Sequence, residues 1–176
     1  MYGNSNRSLI LAQSSIFIAL ITLSGQIQIP IPITPVPITA QTFFIILTCA
    51  IMKRYAIIPV GIYVLLGLLG LPVFATTSGI GELLTPSGGF IIGFVVMSLI
   101  TGFIFERESI IHDVIACIVF NIGCYCFGVV GFMINAHTGL CAAILICVVP
   151  FLIGDTIKTV IAELINIRLR NINTNK

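Results

Sequence analysis

Six apolar runs, each near the length that crosses a bilayer, leave this chain few architectures. A helix needs about 20 predominantly apolar residues to span the hydrocarbon core. Runs of that kind occupy residues 8–27, 38–53, 56–71, 90–105, 112–134 and 140–167. Of 176 residues 58% are hydrophobic and 8% charged, against roughly 45–50% apolar and 25% charged in soluble domains. The reading is all-α and integral to the membrane: residues 1–176 form a single domain, a bundle of six transmembrane helices, with no room for a soluble catalytic domain.

Against that background Asp155 and Lys158 stand out, because they sit inside the last run. A charge near the bilayer centre costs roughly 2.5–3.5 kcal/mol on insertion scales, so ionisable residues there point to a function. Spaced i, i+3, they share one helix face and can partly neutralise each other. The plainer reading is an ion pair that locks helix packing. Together they offer an acceptor and a donor to a small polar ligand.

Two connections are unusual. Ile29 to Pro37 carries Pro30, Pro32, Pro35 and Pro37, which forbid a continuing helix. It reads as an extended, stiff, apolar loop suited to a lid or cavity wall. Pro72 to Gly89 clusters glycine, proline and hydroxyl residues over more than the usual loop length, which marks a second candidate wall. In the third run Gly61, Gly67 and Gly70 offer close-packing surfaces, and in the first Ser15 and Ala19 form a small-x-x-x-small pair.

Orientation follows from the cations. Arg7, Lys53, Arg54, Arg107, Arg168, Arg170 and Lys176 all fall on one side of a six-span chain, so both termini are expected in the cytoplasm. The two unusual loops then lie on the outer face. Lys158 precedes Arg168 by about 15 Å of helix at 1.5 Å per residue, which puts it at mid-membrane below those loops. The prediction is a pocket opening outward, capped by the loops.

The remaining polar residues read as structural. Glu163 is expected at the interface or paired with a tail cation, Glu82 solvated in its loop, and Asn121 bonded between helices. His112 and His137 lack spaced partners, so no metal site is expected. The six cysteines, Cys49, Cys117, Cys124, Cys126, Cys141 and Cys147, lie in apolar runs without C-x-x-C spacing and serve as small hydrophobes. No H-E-x-x-H, G-x-S-x-G or G-x-x-x-x-G-K-[ST] motif is present. The chain reads as neither an enzyme nor an ATPase, with no cofactor; transport would be powered by a partner or an ion gradient. A net charge of +2 suggests no nucleic-acid partner.

Three stretches in matching order resemble the biotin-specific substrate-capture (S) components of energy-coupling factor (ECF) transporters, the BioY family. They are Gln26 to Pro30 continuing through Pro35 to Thr42, Pro86-Ser87-Gly88-Gly89-Phe90 with Gly93-Phe94, and Pro150-Phe151 with Gly154-Asp155 and Lys158. The resemblance implies a six-helix bundle in the bacterial cytoplasmic membrane that binds biotin from outside. Import would be driven by a coupling transmembrane (T) protein and two ATP-binding-cassette ATPases. It assigns Asp155 and Lys158 to the vitamin: Asp155 to the ureido N–H groups, Lys158 to either the ureido carbonyl or the carboxylate. Thr77, Ser78, Gly88, Gly89 and Phe90 would form the rest of the wall, and Ser15 with Ala19 the docking surface for the T protein. The sequence departs from the family pattern at Ser87 and Phe90, where Thr and Tyr are usual, at Ile153, where a proline is frequent, and at Ser15, where alanine is usual. The rival readings are an S component for another small vitamin, a solitary biotin transporter, and a membrane enzyme using Asp155 and Lys158 as acid and base.

Overall fold

Helices account for most of the chain, and their breaks fall where residues forbid continuation. The computed structural model describes residues 2–174. Lys176, counted above among the cytoplasmic cations, lies outside the described residues. Helix α1 covers Tyr2–Gln26, so the polar lead from Tyr2 is helical rather than a separate segment. The proline-rich stretch is extended as predicted, but it also pairs with itself. Strand β1 (Gln28–Ile31) runs antiparallel to β2 (Thr34–Thr39) in the register Gln28↔Thr39, Ile29↔Ile38 and Ile31↔Thr34. The register shifts between Ile29 and Ile31, and Pro30 sits at that irregularity, where a residue without an N–H is tolerated.

Helix α2 (Gln41–Met52) and helix α3 (Ile57–Leu68) are joined by a 3-10 turn at Lys53–Ala56. Lys53 takes a positive φ of 54° with ψ −131°, outside the helical region, and this breaks the helix. One continuous helix would hold Gln41 and Tyr63 about 33 Å apart. Instead Gln41 Nε2 donates to Tyr63 Oη at 2.5 Å, so α2 and α3 are two passes folded back at Lys53. Each covers only about 18 Å as helix, less than the hydrocarbon core, so both rely on neighbours to shield their ends. Gly67 accommodates the Phe74 ring, Gly70 (φ 99°) makes the turn after α3, and Gly61 faces open space, not a close-packed neighbour.

The connection from α3 to α4 (Gly88–Phe105) contains a short 3-10 segment, Ile80–Leu84. Helices α4 and α5 (Ile110–Ala136) pack antiparallel through glycines: Gly89 lies on Phe127 and Gly131, Gly93 on Cys124 and Phe127, and Gly123 on Met97. Their apolar windows have a mean hydropathy of 2.2, and leucine and isoleucine side chains such as Ile111, Ile118 and Ile122 point outward, as a lipid-facing surface requires.

The sixth run breaks instead of continuing from 140 to 167. Helix α6 (Leu140–Cys147) and helix α7 (Leu152–Thr174) meet at a 50° bend. Pro150 lies in the break, where it has no N–H to continue the helix. Helix α7 then runs antiparallel to α5 along polar rungs: Asn121 Nδ2 donates to Thr159 Oγ1 at 2.9 Å, and Tyr125 Oη to Asp155 Oδ2 at 2.8 Å. At the far end Arg170 Nη1 donates to Asp113 Oδ2 at 2.8 Å. The interhelical role expected for Asn121 is therefore present.

The cations collect at one end of the bundle. Lys53 bonds Glu108, Arg54 lies 3.2 Å from Glu106, and both line a depression with Leu9 and Gln13 of α1. Glu163 takes a hydrogen bond from Asn166 at 3.3 Å, and the tail guanidinium of Arg170 bonds Asp113, a partner the sequence reading did not propose.

Candidate functional site

At the opposite end from those cations, helices α2, α3, α4 and α7, strand β2, the α3–α4 connection and the break before α7 converge on a cavity of about 550 Å³ counted with its open mouth. Helix α7 contributes Asp155 and Lys158; α2 contributes Gln41 and Thr42, and α3 contributes Tyr63. Phe90, Ile91 and Phe94 come from α4, and Phe151 from the break before α7. Val36, Pro37 and Thr39 of β2 form one side of the roof, and Phe74, Ala75, Glu82 and Ser87 of the α3–α4 connection form the other. The break at Pro150 matters here, because it turns Phe151 inward to within 6.3 Å of the Phe90 ring centroid.

The polar floor is a network around Asp155, which is 5% exposed. Its Oδ1 accepts from Lys158 Nζ at 2.9 Å and from Thr42 Oγ1 at 3.3 Å, while Oδ2 accepts from Tyr125. Lys158 Nζ also donates to Thr42 Oγ1 at 3.3 Å. So the pair is both an ion pair and a helix-packing device, since Thr42 ties α7 to α2 and Tyr125 ties it to α5. Thr42 and Tyr125 were not singled out from the sequence. The usable signal was the i, i+4 spacing of Asn121 and Tyr125, which makes one polar stripe on an otherwise apolar helix. Replacing Tyr125 with phenylalanine removes one donor to a charged acceptor. Ligand binding is expected to weaken by about tenfold or more, from a loss of about 1.5 kcal/mol or more, and titration calorimetry would measure it.

The wall residues divide. Phe90 faces the cavity beside Asp155 and Lys158. Thr77 and Ser78 are exposed and not among the cavity-lining residues, Thr77 being turned to Glu82. Gly88 and Gly89 are buried, but what approaches them is protein backbone: the Leu83 carbonyl for Gly88 and the Phe127 carbonyl for Gly89. Glu82 reverses its expected role. It is 1% exposed, not solvated, because Thr76, Thr77 and Ser87 fold their hydroxyls onto it.

Both roof segments are latched. Gln26 Nε2 donates to the carbonyls of Pro72 and Phe74 at 3.2 Å each, and Gln28 to that of Ala75. Asn135 of α5 holds the far side, donating to the carbonyls of Leu83 and Thr85 at 3.1 and 2.9 Å. His112 and His137 stand apart from the cavity, at the start and the end of α5. Ser15 and Ala19 are exposed one turn apart on the outer side of α1.

Comparison with known proteins gives four concordant likenesses. The profile of the BioY family matches residues 4–175. The biotin transporter BioY of Thermotoga maritima is 36% identical over 170 residues, covering 94% of this chain and 98% of that protein. The probable biotin transporter BioY of Pyrococcus horikoshii is 33% identical, covering 89% and 93%. A crystal structure of the S-component for biotin from an ECF-type ABC transporter superposes with a TM-score of 0.88 at 28% identity, covering 96% of this chain and 94% of that one.

Proposed function

The chain belongs to the BioY family, and from that premise we propose that it is the biotin-capturing membrane subunit of an ECF uptake transporter. It takes biotin at the outer face, and import is driven by a T protein and two ATP-binding-cassette ATPases on other chains. The family is one of transporters, so Asp155 and Lys158 are read as ligand groups and not as an acid and base.

The observation that carries the substrate is the valence left over on the cavity floor. A carboxylate has about four lone-pair sites and an ammonium three donors. Asp155 has spent three on Lys158, Thr42 and Tyr125, which leaves one on Oδ2. Lys158 has spent two on Asp155 and Thr42, which leaves one N–H. An acceptor beside a donor matches the edge of a cyclic urea, where an N–H adjoins the C=O. Asp155 therefore takes a ureido N–H and Lys158 the ureido carbonyl, while Phe90, Phe94, Phe151 and Ile91 bury the sulfur ring and the alkyl tail. Titration calorimetry of biotin into the purified chain, beside thiamine and riboflavin, tests this. Saturable binding of biotin alone is expected; a folded preparation without it would overturn the substrate assignment.

The cation-rich end faces the cytoplasm of a bacterial cell, in keeping with the positive-inside rule, and both termini lie there. Ser15 and Ala19 form the docking surface for the T protein, because small exposed residues one turn apart let a second helix approach closely. Ala19→Phe is expected to leave biotin binding unchanged and to abolish co-purification with the T protein; retained co-purification would remove this surface from the assembly.

A further inference from the structure

Glu82 is a fully buried carboxylate whose hydrogen-bonding partners among the described residues include no cation, and its valence is filled. Oε1 accepts from Thr76 Oγ1 at 2.5 Å and Ser87 Oγ at 2.8 Å; Oε2 accepts from the Thr77 amide at 2.9 Å and from the Thr77 hydroxyl. Thr85 also lies near, but its hydroxyl proton goes best to the Glu82 backbone carbonyl, at 2.7 Å against 3.3 Å to Oε1. Four donors fill the four lone-pair sites of a carboxylate. Although its residue borders the cavity, this carboxylate has no site left for a ligand donor.

What those donors share is position. Thr76 and Thr77 follow directly on Phe74 and Ala75, which face the cavity from one end of the connection, and Ser87 faces it from the other. The carboxylate draws the two ends of the twelve-residue segment 76–87 of that connection together over the mouth. The glutamine latches and Asn135 hold the same loop from outside, through its backbone carbonyls. We propose that Glu82 is a positioning residue for ligand capture: it ties the α3–α4 connection shut over the occupied cavity, and its release sets how fast ligand escapes. This rests on reading the cavity as the biotin site. A buried charge with only neutral donors is held by all of them at once, so opening the loop requires either that water replace four charge-assisted bonds or that the knot move as a body. That makes closure cooperative.

The test is Glu82→Gln in the full chain, read by dissociation of labelled biotin and by amide hydrogen exchange. The amide keeps the side chain's shape but places an NH2 against donors, so at least one bond is lost. Biotin dissociation is expected to accelerate about tenfold or more with association changed less than about threefold, since interface losses fall mainly on the off-rate. Exchange should speed up in residues 76–87 and stay unchanged in the second half of α4. Glu82→Asp, which keeps the charge, is expected to recover part of the slow release. A variant with native dissociation and native exchange would overturn the proposal. Should Glu82→Gln not fold, Thr76→Val removes one donor without stranding the carboxylate and is expected to move both readouts the same way by a smaller factor. If the native chain does not bind biotin at all, the substrate reading fails, and the exchange measurement still decides whether Glu82 holds the loop.

Discussion

Asp155→Asn is expected to weaken biotin binding by roughly 30-fold to several thousandfold while leaving the bundle folded. The change keeps the side chain's volume and removes its charge. Lys158 Nζ, 2.9 Å away and only 18% exposed, then loses its counter-ion in a site walled by five aromatic rings. Truncating one partner of a buried, hydrogen-bonded charge pair costs about 2–5 kcal/mol, which is the quoted range of affinity. The asparagine amide also carries two donors. If its oxygen faces Lys158 and Thr42, its nitrogen faces Tyr125 and puts an N–H donor where the lone pair assigned to the ureido N–H had been. Calorimetry measures the loss, and circular dichroism confirms that the helices persist. Binding within about threefold of the native chain would mean that the carboxylate does not accept from the ligand.

How far the sequence reveals this site depends on whether a residue breaks a local rule. Asp155 and Lys158 do, since charges are rare inside an apolar run, and they were legible at once. Pro150 announces the break that brings Phe151 inward, although the run around it reads as one long span. Thr42 and Tyr125 break no rule: a hydroxyl in a membrane helix is ordinary until its partner on another helix is known. Glu82 was misread because loop carboxylates are normally solvated, and because its burial depends on Thr76, Thr77 and Ser87 folding back over it. The pairing of β1 with β2 was missed for a related reason. Prolines mark that stretch as non-helical, but its register is set by contacts across the turn.

Gly88 and Gly89 show the same limit most sharply, and the second large prediction follows from them. The resemblance assigns both to the ligand wall, where glycine would let backbone approach a vitamin. In the structure the close approach is between helices. A methyl group built on Gly89 would stand 2.2 Å from the Phe127 carbonyl oxygen and 3.0 Å from the Gly131 Cα, and one built on Gly131 would stand 2.6 Å from the Gly89 Cα. These are backbone atoms, which cannot turn aside as the end of a side chain can, so α4 and α5 must separate. Gly89→Ala is expected to destabilise the chain by about 1–3 kcal/mol or more through overpacking, lowering the midpoint of thermal unfolding by several degrees. Biotin affinity should fall with it, because Phe90 is seated against Gly128 of α5 while it lines the cavity, and parting the helices displaces that ring. Gly61→Ala is the control: its added methyl meets nothing within 4 Å, it lies inside α3, and replacing a helical glycine by alanine stabilises by about 0.5–1 kcal/mol. If Gly89→Ala instead melts and binds like the native chain, the tight crossing of α4 and α5 is not what this glycine is for. If it melts normally but loses biotin, the glycine belongs to the ligand wall after all.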